Sequence, residues 1–251
     1  MLWQDEAVVL AARRHGESSL VASLMTREHG RHAGLVRGGA SKRTRPLYEP
    51  GNRLQVTWRA RLPEHLGQFT AEPLQLCTGR LIDAPLRLTG LMAACALLEA
   101  GLPERDPHLL VYNDLLDLID IILKDGPWLE RYVAFELDLL AELGFGLDLS
   151  ACAVTGETTG LAFVSPATGR AVTRGGAGDY APRLLPLPPF LVGAGPADEA
   201  QVLDGLRLTG AFLRRHLFDA TDRAMPGARE RLIALLTRRL QNRTEDGDPA
   251  R

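Results

Sequence analysis

The chain has 251 residues, 45% hydrophobic and 24% charged, the balance of an ordinary globular protein large enough for one big domain or two to three small ones. No run approaches the ~18 to 20 apolar residues of a membrane span, the N-terminal stretch is charged from Asp5 without the apolar core of a signal peptide, and three widely spaced cysteines fit a reducing compartment, so a cytoplasmic protein is expected. A net charge of −2 excludes a uniformly basic surface, but the charges are unevenly placed.

Residues 1–80 carry 12 Lys+Arg against 7 Asp+Glu, a net of +5. They read as five short strands: Glu6–Arg14, Ser19–Thr26, Arg31–Arg37, Leu54–Arg59 and Gln68–Glu72. Leu54 to Arg59 alternates apolar and polar residues, the period of a strand with one buried face. The joints His15-Gly16-Glu17, Glu28-His29-Gly30, Gly38-Gly39 and Glu49-Pro50-Gly51 have turn chemistry. Such a pattern predicts a small barrel, of which the five-stranded OB-fold is the commonest, although an SH3-like barrel gives nearly the same periodicity.

Residues 81–149 carry 4 basic against 13 acidic residues, a net of −9, and the period becomes helical. Leu88, Leu91, Met92, Cys95 and Leu98 share one face. Asp106-Pro107 reads as an N-cap with proline at the first helical position, opening a helix to about Leu123. Gly126-Pro127 opens a third helix that stops at Gly144. Residues 150–189, rich in Gly, Thr and Pro, read as a loop-and-hairpin insertion. A long helix then begins at Asp198-Glu199, and another from Pro226 to about Leu240. The expected organisation is a barrel domain over 1–80, a helical domain from 81–149 and 190–243, the insertion at 150–189, and a disordered tail over 244–251.

The segment Arg37-Gly38-Gly39-Ala40-Ser41-Lys42-Arg43-Thr44-Arg45 holds four cations and no acid. On a barrel loop it suits phosphate contacts, each of which releases condensed counterions, though a solvated basic loop has the same composition. Arg13, Arg14 and Arg31 lie on neighbouring strands and extend the patch. Aromatic stacking platforms, the other half of single-strand binding, are represented by Trp3, Tyr48, Trp58 and Phe69. Trp58 falls on the apolar face and is assigned to the core. A binder short of stacking side chains grips the backbone and leaves the bases free, which suits strand annealing.

Catalytic readings find little. Asp114, Asp117 and Asp120 recur every third residue, which can hold a divalent metal but is also the wet face of an amphipathic helix. Glu28, His29 and His32 flank a turn without a visible partner for metal binding. No phosphate-binding loop, nucleophile elbow or zincin motif is present. Cys152-Ala153-Val154-Thr155 and Thr173-Arg174-Gly175-Gly176 sit where the two knuckles of a zinc ribbon would stand, but only Cys152 supplies a thiolate, so no metal and no other cofactor is expected.

These stretches resemble the RecO family of recombination mediators. The resemblance runs through Asp5-Glu6-Ala7-Val8-Val9-Leu10, Arg14-His15-Gly16-Glu17-Ser18-Ser19, Thr26-Arg27-Glu28-His29-Gly30, Val36 to Arg45 and Glu49-Pro50-Gly51. It continues in Phe135-Glu136-Leu137, Leu139-Leu140, Leu143-Gly144-Phe145-Gly146 and Cys152-Ala153-Val154-Thr155-Gly156, covering about residues 4–240. It implies an α+β protein: an N-terminal OB-fold β-barrel, then an α-helical domain with an embedded zinc-ribbon-like module, here metal-free because the four-cysteine pattern of some members is missing. It also implies a nucleoid-associated, non-enzymatic protein. Such a protein binds single- and double-stranded DNA, anneals complementary strands, engages the acidic C-terminal tail of single-strand binding protein (SSB), and works with RecR to load RecA.

By matching position the DNA site is expected at Arg37, Lys42, Arg43 and Arg45, supported by Arg14 and Arg31. An acidic, apolar-ended tail needs a hydrophobic groove rimmed by cations. Of Arg87, Arg105, Lys124 and Arg131 in the acidic zone, Arg131 with Phe135 is the candidate pair. Arg214, Arg215, Arg238 and Arg239 either widen the DNA footprint or form a solvated helix face. Two other classes stay open: a protein–protein adaptor working through the acidic middle zone, and a metal-dependent nucleic-acid enzyme using the aspartate row.

Overall fold

A computed structural model describes residues 1–245. Five strands, β1 (Leu2–His15), β2 (Ser19–Thr26), β3 (Gly30–Val36), β4 (Arg53–Arg59) and β5 (Gln68–Gln75), close into a barrel in the order β1-β2-β3-β5-β4. Neighbours are antiparallel except β3 and β5, which meet in parallel at Leu35 and Gln68, and β4 closes on β1. This Greek-key order is that of an OB-fold and decides what strand periodicity left open.

The pleat sorts the side chains. Leu54, Val56 and Trp58 of β4 point inward and are at most 1% exposed, joined by Ala7, Val9, Leu20, Ala22, Leu24, Val36, Tyr48 and Phe69. In β1 the residues facing the other way, Val8 and Leu10, are buried too. A register shift between Val9 and Ala11 bends this strand, and α1 (Pro85–Gly101) packs against it. The strand therefore reads as an apolar run over Ala7 to Leu10 rather than as a clean alternation.

The chain divides into two compact units, residues 1–126 with 226–229, and residues 127–225 with 230–251. The first holds the barrel, α1 and α2 (Leu109–Leu123). Helix α2 begins three residues beyond the Asp106 cap expected from sequence, with His108 at the N-cap and no side-chain cap bond. The reason lies in the preceding segment. The Arg105 N–H donates to the Arg31 carbonyl at 2.8 Å and Glu104 bridges Arg31 in parallel, so this stretch runs along β3 instead of coiling. Pro107 adds to this by disfavouring the helical region for Asp106.

In the second unit α3 (Trp128–Glu142) ends as the sequence predicts. Gly144 has φ +84°, its N–H donates to Ala141 O, and the Phe145 N–H donates to Leu140 O at 2.7 Å. Those two bonds make a Schellman motif. A three-stranded sheet follows, ordered β7-β6-β8, from β6 (Leu161–Val164), β7 (Ala171–Thr173) and β8 (Leu185–Pro186), with a short α-helical turn, α4 (Arg174–Ala177), and 3-10 turns at Gly178–Arg183 and Pro189–Val192. Helix α5 (Glu199–Leu213) opens on a capping box in which Asp198 accepts from the Gln201 N–H at 2.7 Å. It runs into a π-helical turn over Arg214–Phe218. Helix α6 spans Gly227–Glu245, and of the tail expected over 244–251, residues 246–251 lie outside the described residues. No helix among the described residues is long and apolar enough to cross a membrane.

Candidate nucleic-acid interface

The stretch from Arg37 to Arg45 leaves the end of β3 as an exposed loop. Gly38 turns it at φ +65°, and the Ser41 N–H, Thr44 N–H and Arg45 N–H are consumed in local bonds to Gly38 and Ser41. The Ala40 N–H donates to Ser18 O at 3.0 Å and so fastens the loop beside the β1–β2 turn. That link brings together cations far apart in sequence. Arg13, Arg14 and Arg45 line one cavity of about 260 Å³ with Tyr48 and Glu49. Arg13, Arg14, Arg37, Lys42, Arg43 and Arg45 are all exposed, and none is in an ion pair among the described residues. The Arg14 guanidinium rests on the Glu17 carbonyl at 3.2 Å.

Arg31 requires a correction. It sits at the opposite end of β3, where Nε donates to Leu102 O at 2.9 Å and Nη1 faces Glu99 and Glu104 at 3.6 and 3.4 Å. Its side chain is only 11% exposed, so this guanidinium is committed to two carboxylates and does not extend the basic patch. Sequence adjacency to the loop could not reveal this, because Glu99 and Glu104 arrive from α1 and the turn after it.

Around that same end of the barrel the aromatic residues gather. Trp3 stacks on His29 with centroids 4.0 Å apart and on Trp58 at 5.5 Å, while His32 meets Trp58 edge-on at 4.8 Å. His29 Nδ1 lies 3.0 Å from Asp5 Oδ2, which also accepts the Glu28 N–H at 2.8 Å. Burial, which outweighs a backbone bond to Ala33, lowers the His32 pKa below its usual 6.5. The pair His29 and His32, weighed from sequence as a metal fragment, is thus part of an aromatic cluster. Among the described residues no group of three or more His, Cys, Asp or Glu is placed to hold a metal ion.

The candidate pair for a peptide tail also requires correction. Phe135 is fully buried in α3, and the Arg131 guanidinium is held by Asp138 at 3.0 Å. Phe135 is apolar as a groove would need, but it belongs to the core. Glu136 beside it is equally buried and accepts a hydrogen bond from the Thr209 hydroxyl of α5. Of the C-terminal arginines, Arg215 donates to Pro166 O and Arg239 pairs with Glu199 at 2.8 Å, while Arg214 and Arg238 are exposed. The aspartates of α2 lie away from its buried face of Val111, Tyr112, Leu115, Leu118, Ile119 and Ile122.

The four knuckle positions of the ribbon-like module do converge. The Thr155 and Thr173 N–H groups donate to Cys152 Sγ at 3.4 and 3.2 Å, and a Cβ on Gly176 would stand 3.1 Å from that sulfur. Burial raises the Cys152 pKa, but the hydrogen bonds from Thr155 and Thr173 outweigh it and the thiol falls to about 6. One thiolate with two threonines and a glycine is not a zinc donor set. The geometry of a ribbon persists with hydrogen bonds at its centre.

Comparison with known proteins agrees with this architecture. A family model described as "Recombination protein O N terminal" matches residues 1–76, and one described as "Recombination protein O C terminal" matches residues 83–224. A protein named "DNA repair protein RecO" from Cereibacter sphaeroides (strain KD131 / KCTC 12085) is 52% identical over 239 residues, covering 95% of this chain and 99% of the relative. Proteins of the same name from Rhodospirillum centenum and Ruegeria sp. (strain TM1040) are 50% and 48% identical, over 93% and 96% of this chain and 94% and 100% of theirs.

Proposed function

The chain belongs to the RecO family of DNA repair proteins, and on that premise we propose that it binds single- and double-stranded DNA at the basic end of its barrel and anneals complementary strands without bond chemistry. The observation that carries this reading is the meeting of Arg13, Arg14 and Arg45 around one cavity, beside the exposed, acid-free run containing Arg37, Lys42 and Arg43. Two strands of phosphates repel each other, and a cluster of exposed cations, none of them in an ion pair among the described residues although Glu49 lines the same cavity, lowers that repulsion at short range. Backbone contacts leave Watson–Crick edges open, so pairing proceeds while the strands are held. The family resemblance further supports engagement of the SSB tail and cooperation with RecR in loading RecA. The SSB groove is left unassigned, since Phe135 is buried and Arg131 is already paired.

The test is the triple variant Arg37→Ala, Lys42→Ala, Arg43→Ala titrated with single-stranded DNA over a range of salt. Each lost phosphate contact takes about 0.7 from the slope of log affinity against log salt, so removing three lowers it by about 2. A folded variant with unchanged affinity and slope would remove the loop from the interface and favour the adaptor reading.

A further inference from the structure

The aromatic end of the barrel is an open, apolar cavity of about 260 Å³ with features that a core does not need. Its floor is Trp58 and His32, 1% and 4% exposed. Its wall is the half-buried Trp3–His29 stack. The His29 side chain is 32% exposed, yet it is aimed, because Nδ1 is taken by the buried Asp5 carboxylate. This bond leaves Nε2 as the ring's remaining polar atom. Arg105, at φ +62°, straps the β4–β5 loop over the cavity by donating to the Glu64 and His65 carbonyls. A neighbouring cavity of about 530 Å³, sharing Met1 with the first, is lined by Arg59 and Arg61. Both arginines are exposed, and neither is in an ion pair among the described residues.

Trp3 is already covered by His29 on one side and Trp58 on the other, so the ring face left for a ligand in this slot, which Glu28 also lines, is the partly exposed His29 imidazole; that face next to two unpaired guanidiniums matches a planar heterocycle joined to a phosphate. We propose that this slot takes one unpaired base of a bound single strand, with the adjoining phosphate lying against Arg59 and Arg61. The proposal rests on the reading that the chain binds single-stranded DNA and adds a second contact zone to it. Strand β3 separates the slot from the basic loop by about 20 Å, at roughly 3.3 Å per residue. That span is within the length of strand an OB-fold tracks, about 4–16 nucleotides. One anchored base fixes the strand's position while the bases over the rest of the path stay free to pair.

The full chain is titrated with two dye-labelled oligomers of equal length, oligothymidylate and an abasic deoxyribose-phosphate chain. Wild type is expected to prefer oligothymidylate by at least about fivefold, the lower end of base–aromatic stacking. His29→Ala brings that ratio towards one without altering the salt slope, and His29→Phe, which keeps a stacking ring, retains it. Independently, Arg59→Ala with Arg61→Ala removes the contact with that one phosphate and lowers the salt slope on oligothymidylate by about 0.7. Far-UV circular dichroism establishes that each variant is folded. Equal wild-type affinity for the two oligomers, or an unchanged slope in the double arginine variant, overturns the slot assignment. Failure of wild type to bind either oligomer instead removes the DNA-binding reading on which it rests.

Discussion

Gly30 opens β3 at φ +65°, and a Cβ there would stand 2.0 Å from the carbonyl oxygen of Asp106. Gly30→Ala combines left-handed strain with a backbone clash, so it is expected to cost more than about 2 kcal/mol, read as a lower urea midpoint with unchanged slope. His32 gives a residue-scale pH effect. Its pKa is held below 6.5 chiefly by burial, so the unfolded chain takes up a proton as pH falls through about 6.5 while the native ring stays neutral longer. Native stability therefore declines as pH drops below that point, and His32→Phe should flatten this decline in denaturation curves recorded between pH 5 and 7. The sequence identified Gly30 as a turn residue and His32 as titratable. The partners that give each its role, Asp106 and Trp58, come from other elements.

Among the elements, boundaries were legible where a local bond makes them. The Asp198 cap and the Gly144 stop are both set within five residues, and both stand where the composition puts them. Asp198→Ala should remove the capping bond to Gln201 and cost about 1 kcal/mol, measurable as a lower melting temperature. The Asp106 cap was misplaced because capping propensity competes there with pairing along β3, and a bond from Arg105 to Arg31 carries no local signature. The module around Cys152 shows the reverse case. Its knuckle positions lie close together although only Cys152 could donate to a metal, because Thr155 and Thr173 bond the same sulfur. Cys152→Ala removes the acceptor of both N–H groups. With the native thiol near 6, native stability should rise between about pH 6 and 9 in wild type, and that rise should vanish in the variant.

On the scale of the molecule, charge is segregated: net +5 over residues 1–80 and −9 over 81–149, a contrast that the overall −2 hides. Along β3 the two ends differ as well. The basic loop and Arg13, Arg14 and Arg45 stand at one end of β3, and Arg31 at the other is neutralised by Glu99 and Glu104. For the mediator role the expected outcome is faster annealing of SSB-coated complementary strands with intact SSB than with SSB lacking its C-terminal tail. Equal rates with both, but faster than without the protein, would retain annealing and remove the tail as a partner site.

The sequence by itself determined the class of fold, the five strands, the glycine turns, the Asp198 cap and the Gly144 stop, and the exposed basic loop, because these depend on period, glycine placement and composition within short windows. Only the tertiary structure decided the barrel closure, the retirement of Arg31 and Phe135 from the surface, and the meeting of Trp3, His29 and Trp58 with Arg59 and Arg61 nearby. The physical reason is the same in each case. A side chain's partners are set by strand order and by what packs over it, and residues 3, 29, 58 and 105 become neighbours only once β1 closes on β4 and the chain after α1 returns along β3.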